Sequence, residues 1–134
     1  MKIKNLLIFF LYFLTLSCFN LRRDEVSEFI ESPSKKYFIQ LSVNSTDRSK
    51  ENYADVVVKL FDSKQLLLSE LNTNAGDFNK WAIDWNTNND TLIMKSSDIG
   101  NYAWKISEGK FEKIKMNSEL NKNAENIFKK KYKN

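Results

Sequence analysis

The sequence predicts a mainly β fold, a single antiparallel β-meander of about seven strands followed by one C-terminal helix. Two features support this prediction. From Lys36 onward, short runs of residues alternate between apolar and polar, which is the period of a strand with one buried face. Turn-forming Asn, Asp, Ser and Gly residues separate these runs. After the last strand, the segment from Asn117 onward changes to the spacing of a helix.

A short helical turn is predicted ahead of the sheet. Residues 25–30 place Val26, Phe29 and Ile30 on one face of such a turn. Pro33 ends it, because the residue before a proline avoids the helical region.

The strands are predicted from the alternating runs. Residues 53–61 (YADVVVKLF) are rich in β-branched side chains. Residues 65–71 are predicted to be a third strand that forms a hairpin with them, with a helical turn as the alternative. Consecutive strands joined by tight turns are usually antiparallel neighbours. The stretches 44–52 and 72–79 are predicted to be the longest loops, which serve either recognition or as solvated linkers. The predicted strands are 37–43, 53–61, 65–71, 81–85, 91–95, 102–106 and 110–116.

The C-terminal helix is predicted from its ends and its apolar stripe. Asn117 or Ser118 caps its N-terminus, and Glu119 lies in the first turn, where the helix dipole favours negative charge. The lysines at 129–131 suit the carbonyl end, although the basic tail 129–133 could instead contact anionic lipid headgroups. The apolar stripe consists of Leu120, Ala124, Ile127 and Phe128.

The N-terminus has the pattern of a secretory signal peptide, which we assign to residues 1–17. Lys2 and Lys4 make a basic start, and residues 6–14 (LLIFFLYFL) are apolar without a break. This run is too short for a comfortable membrane span, which needs about 20 residues. The chain is therefore expected to be exported.

Cys18 is the only cysteine, so an intramolecular disulfide is excluded. Residues 14–18 (LTLSC) resemble the lipobox of bacterial lipoproteins, with a small residue before the cysteine and Leu one position earlier than usual. The resemblance implies cleavage before Cys18 and its acylation, with a chain such as palmitate on sulfur. An ordinary signal peptide and an uncleaved anchor are the alternatives. Residues 18–35 are then the lipidated tether, residues 36–134 are the β-rich domain with its helix, and the location is the bacterial cell envelope.

Two stretches resemble the blades of TolB-like β-propellers. Residues 32–37 (SPSKKY) are similar to the Ser-Pro-Asp-Gly-Lys-Tyr turn that opens a strand in that family. Residues 81–85 followed by 88–92 are similar to the strand-turn-strand of a blade, although both turns lack the family's glycine. The resemblance implies a β-meander with strands for two blades at most. In layout the chain also resembles small bacterial lipoproteins, some of which are thought to act as immunity proteins.

The composition excludes several kinds of chemistry. The chain has no histidine, which removes histidine-based triads and histidine-ligated zinc or haem. Its three glycines lie far apart and form no phosphate-binding loop. The formal net charge of +4 falls to +2 without Lys2 and Lys4, which gives no argument for a nucleic-acid partner. We therefore predict no cofactor and no metal.

Carboxylates are the remaining catalytic candidates. Asp84, Asp90 and Asp98 could supply a pair for glycoside hydrolysis. The simpler interpretation places Asp90 and Asp98 in turns and Asp84 on the outward side of a strand. The spacing of oxygen-bearing side chains from Asp84 to Asp90 resembles the start of a calcium loop, but Lys95 stands where that loop needs a bidentate Glu. We therefore predict no catalytic residue and do not expect an enzyme.

The candidate binding residues are aromatic, with one carboxylate beside them. Aromatic side chains on adjacent strands can form a platform for a sugar or a protein, or they can build the core. The expected function is a membrane-anchored, non-catalytic lipoprotein that recognises a protein partner, for example as an immunity protein. The alternatives are a structural or assembly component of an envelope complex, which an exposed apolar patch would favour, and a carboxylate-based glycan hydrolase. The candidate residues are Trp81, Trp85, Trp104, Tyr102 and Asp84.

Overall fold

The computed structural model describes residues 26–44 and 54–133, and within this part the chain forms eight strands and one helix. The mainly β class and the C-terminal helix are confirmed. The elements are β1 (Ile30–Glu31), β2 (Tyr37–Val43), β3 (Asp55–Asp62), β4 (Leu67–Gly76), β5 (Trp81–Trp85), β6 (Thr91–Ser96), β7 (Gly100–Ser107), β8 (Lys110–Ile114) and α1 (Ser118–Tyr132).

The strands divide into two antiparallel sheets, where the prediction had one meander of about seven strands. β1 to β4 are neighbours in that order in the first sheet, and β5 to β8 are neighbours in the second. The chain passes from one sheet to the other at the turn formed by residues 77–80. Two sheets can bury their apolar faces against each other, whereas one open sheet would leave an apolar face in water.

The core lies between the two sheets. Alternate residues of the central strands point into it, as a period of two requires. Ile39 and Leu60 of the first sheet and Leu92 of the second are completely buried. Full burial of one such side chain stabilises the fold by about 1.5–3 kcal/mol. The same core also contains Val56, Val58, Ala75, Ile83, Trp85, Met94 and Trp104.

β1 takes the place of the predicted helical turn at 25–30. It pairs antiparallel with β2, and Ser27 continues the contact by donating its N–H to the Leu41 C=O at 2.8 Å. The helical prediction is wrong because the open edge of β2 offers backbone partners to this segment. The ring of Phe29 also packs edge-on against that of Phe61. The folded part of the chain therefore begins before residue 36, where the tether was predicted to end.

Most of the loop predicted at 72–79 is strand. β4 continues to Gly76, which pairs with Asp55 at the start of β3. The Thr73 hydroxyl donates to the Val56 C=O at 2.7 Å and secures the pairing. The polar side chains misled the prediction, because the ladder of a sheet is formed by backbone groups and not by side chains.

α1 covers the outer face of the second sheet. Asn117 is its N-cap and accepts the Leu120 N–H at 2.8 Å. Leu120 and Ala124 are buried in one cluster with Ile93 of β6, and Ile127 packs against the same cluster. The predicted cap is confirmed, as is the basic last turn at residues 129–131.

The end of α1 closes the edge of β5. The Tyr132 hydroxyl accepts the Trp81 N–H and donates to the Trp81 C=O, with both distances 2.9 Å. An edge strand otherwise presents such backbone groups to any strand that approaches. Lys131 Nζ also donates to the Trp81 C=O at 2.6 Å, so two side chains of the helix protect this part of the second sheet.

Candidate interaction surfaces

Two of the five candidate binding residues lie in the core. Trp85 and Trp104 are only 5% and 6% exposed, and both belong to the cluster between the sheets. Trp85 Nε1 also donates to the Ile30 C=O in the first sheet at 3.1 Å. These two rings therefore build the core, as the alternative to a binding platform expected, because a buried ring cannot contact a ligand.

Trp81 and Tyr102 are half-buried, and a lysine of the same chain lies over each ring. Lys113 Nζ is 4.2 Å from the centroid of Tyr102, and Lys131 Nζ is 3.3 Å from that of Trp81. Partial desolvation lowers the pKa of Lys131, while the carboxylate of Asp77 opposes that shift. Intramolecular cation–π contacts thus occupy the ring faces that a platform would present.

Asp84 and Asp90 fix local structure. The Asp84 carboxylate accepts the Trp85 N–H at 2.8 Å. The Asp90 carboxylate accepts the N–H of Ser34 at 3.0 Å and also its hydroxyl, so it joins the β5–β6 turn to the β1–β2 turn of the other sheet. Within the described ranges, no group of three or more His, Cys, Asp or Glu side chains could hold a metal ion. These two carboxylates therefore contribute to the scaffold.

Asp98 fastens the turn at residues 77–80. Its carboxylate accepts the Gly76 N–H at 3.0 Å, the Asn79 side-chain amide at 3.2 Å and the Ser96 hydroxyl. Partial burial by itself raises the pKa of Asp98. Hydrogen bonds from Ser96, Gly76 and two local amides outweigh this effect and hold the pKa below the ordinary value for an aspartate. The carboxylate is therefore ionised and hydrogen-bonded at neutral pH.

We expect Asp98→Asn to lower the free energy of unfolding by about 0.5–1 kcal/mol at pH 7, a small loss because the carboxylate is largely exposed. The folded-state pKa of Asp98 lies below the unfolded one. The carboxylate therefore stabilises the fold above about pH 4 and loses this effect as the pH falls through the folded-state pKa. Below about pH 4 the melting temperature of the native chain should fall more steeply than that of the variant. Equal slopes in thermal melts across this range would contradict the assigned role.

The turn at residues 77–80 displays Phe78, whose side chain is 83% exposed. The backbone around it is fixed, because Asp77 N–H donates to the Ala54 C=O at 2.8 Å and Asn79 N–H donates to the Gly76 C=O at 3.1 Å. Because the backbone is already ordered, binding through this turn has only the side chain left to order. Phe78 is therefore a candidate contact, within the loop that the sequence suggested for recognition.

A second exposed apolar surface lies on the outer face of the first sheet, where β2 begins and β3 ends. Phe29 packs edge to face against Phe38 and Phe61, with ring centroids 6.0 and 5.0 Å apart. Phe61 pairs across strands with Leu67, which is 56% exposed, and Leu66 in the adjoining turn is 62% exposed. We call these five residues the apolar end.

The sequence contained a sign of the apolar end that the prediction missed. Phe38 and Phe61 occupy outward positions in strands whose other outward positions include Gln40 and Lys59. The run Leu66–Leu68 also breaks the alternation, so its members could not all face one core. Both signs mark apolar residues on a face that a half-buried sheet normally keeps polar.

Cys18, predicted to carry the lipid, lies outside the described residues together with the leader. In the part of the chain that the structure describes, no helix has the length and hydropathy that crossing a bilayer requires. Comparison of the chain with protein-family models, with curated proteins and with solved structures found no match.

Proposed function

We propose that this chain is a non-catalytic binding lipoprotein of the bacterial envelope, held to a membrane through acylated Cys18. Its domain binds a protein partner through the turn at residues 77–80. The observation that carries the proposal is Phe78, which is 83% exposed on a turn with a fixed backbone. Aromatic side chains are enriched in the contact regions of protein–protein interfaces.

The positions of the acidic residues favour binding over hydrolysis. Two carboxyls that hydrolyse a glycan must face each other across the substrate at about 5–9.5 Å. Asp90 instead bonds to Ser34 of the other sheet, and Asp98 bonds to the start of the turn at residues 77–80. Each carboxylate fixes a turn, which suits a rigid scaffold that presents a contact surface.

The anchor is supported by the sequence alone. A basic start and nine apolar residues precede Cys18, and the apolar run is shorter than a membrane span. A single acyl chain holds a protein to a membrane only marginally, whereas two or more give a stable anchor. Acylation of Cys18 on both sulfur and amine would therefore keep the domain at the membrane surface.

The protein partner is tested by crosslinking in intact source cells, followed by affinity capture of the full-length protein in detergent and mass spectrometry. We expect one stoichiometric partner. Phe78→Ser should reduce its recovery by roughly tenfold or more, as expected when an interface loses a contact of about 2 kcal/mol. A toxin as partner would identify an immunity protein, and a component of an envelope complex would identify an assembly role.

Lys122→Ser is the matched control, because Lys122 is exposed on α1 and belongs to neither of the two exposed apolar surfaces. It should leave the recovery unchanged. Equal loss in both variants would exclude Phe78 as the specific contact. A folded, anchored protein that captures nothing would contradict a tight protein partner.

A further inference from the structure

The apolar end stands out from the rest of the sheet surface. α1 covers the outer face of the second sheet, where Ile93 and Ala103 are completely buried. On the first sheet, Leu66 and Leu67 remain more than half exposed. Leu67 pairs across strands with Phe61, which packs with Phe29 and Phe38 in one cluster. Leu67 and the three phenylalanines therefore form a contiguous surface, and Leu66 precedes Leu67 in the chain. Contiguous exposed apolar surface of this kind usually marks a contact with a partner or a membrane.

Two turns meet at the apolar end. Tyr37 pairs with Asp62, which places the turn at 32–36 beside the turn at 63–66. Lysine side chains can lay their stems along apolar surface and extend their ammonium groups to lipid headgroups. Glu31, Asp62 and Asp90, whose carboxylate bonds to Ser34, lie at the same end and balance this positive charge, so the apolar side chains supply the attraction. The exposed lysines of the two turns are Lys35, Lys36 and Lys64.

The length of the tether limits how far the apolar end can lie from the bilayer. Ser27 bonds to Leu41, so the chain enters the sheet toward the end of β2 that lies away from Tyr37. β2 spans about 20 Å between its two ends. The eight peptide steps from Cys18 to Val26 reach at most about 28 Å. An anchor on Cys18 can therefore reach a bilayer into which the apolar end dips, and it cannot hold the domain far from that bilayer.

We propose that the apolar end inserts into the lipid bilayer to which Cys18 is anchored, with Leu66 and Leu67 among the acyl chains. This inference rests on the anchor in the proposed function. It also orients the domain. Gly76 pairs with Asp55 at the opposite end of β3, so the turn at residues 77–80 faces away from the membrane. Phe78 is then accessible to a protein partner.

Reconstitution of the acylated mature protein into vesicles of phosphatidylethanolamine and phosphatidylglycerol tests the insertion. Leu67→Cys supplies one free thiol for a polarity-sensitive fluorophore, because Cys18 is the only native cysteine and its sulfur is acylated. Lys122→Cys, exposed on α1, is the matched control. We expect the label at 67 alone to shift to shorter wavelength and to lose quenching by aqueous iodide. It should also gain quenching by nitroxide-bearing lipids.

Flotation of the vesicles separates the ways in which this inference can fail. Protein that floats while the label at 67 stays open to iodide overturns the insertion and leaves the anchor intact. Shielding in native membranes but not in pure lipid vesicles would identify a protein occupant and also overturns it. Protein that does not float would show that Cys18 does not anchor the chain, and the insertion, which rests on the anchor, would then also be wrong. Leu66→Cys repeats the measurement at a position outside β4. If the label at 67 disturbs the pairing of β4, the label at 66 still reports whether the apolar end is inserted.

Discussion

Replacement of Trp85 by alanine is expected to lower the free energy of unfolding by about 3–5 kcal/mol. Trp85 is only 5% exposed in the core, and its Nε1 donates to the Ile30 C=O of the other sheet at 3.1 Å. Alanine would leave a cavity that the strands close only in part, and it would leave the Ile30 carbonyl without this donor. Because domains are usually stable by about 5–15 kcal/mol, the variant should be close to unfolding.

Urea unfolding of the mature protein, followed by circular dichroism, measures this difference. Trp85→Phe is the graded control, because it keeps an aromatic ring and removes the indole N–H. It should cost about 1–2 kcal/mol. A loss below about 1 kcal/mol for Trp85→Ala would mean that the ring does not fill the core. Trp85 would then again be a candidate binding residue.

Replacement of Cys18 by alanine is expected to move the protein from the membrane fraction to the soluble fraction. The apolar run of the leader is too short for a comfortable span, so a stable anchor depends on the acyl chains. Each buried CH₂ contributes about 0.8 kcal/mol, so loss of the chains removes most of the membrane affinity. The few exposed side chains of the apolar end would bury far fewer carbon atoms in the bilayer than the acyl chains do, so they cannot replace the acyl chains as an anchor.

Cell fractionation, combined with metabolic labelling by an alkyne fatty acid, measures both location and acylation. Asn20→Ala is the matched control, two residues beyond the cysteine, and should keep both the label and the membrane location. A Cys18→Ala protein that remains in the membrane fraction through its leader would show that lipidation is not the anchor. A native chain without the label would lead to the same conclusion.

The local sequence pattern was sufficient to predict an element where its two faces differ strongly in polarity. β2 and β5 have the bounds predicted from their alternation, and α1 follows the predicted cap at Asn117. The prediction was wrong at residues 26–30, which run along the edge of β2 into β1, and at residues 72–76, which belong to β4. In both places a mixed or polar segment pairs with a strand that is already present. The available partner therefore decided its conformation, because strand preference depends strongly on context.

The sequence by itself determined the mainly β class, the C-terminal helix and the exclusion of histidine chemistry, because these depend on composition and on the spacing of apolar residues. The tertiary structure alone decided which aromatic residues are buried. Alternation assigns Trp85, Trp104, Phe38 and Phe61 to faces of their strands, but it does not say which faces another layer will cover. The packing of two sheets encloses the first pair, and α1 covers only the second sheet. Phe38 and Phe61 therefore remain on an outer face, where they can contact something other than their own chain.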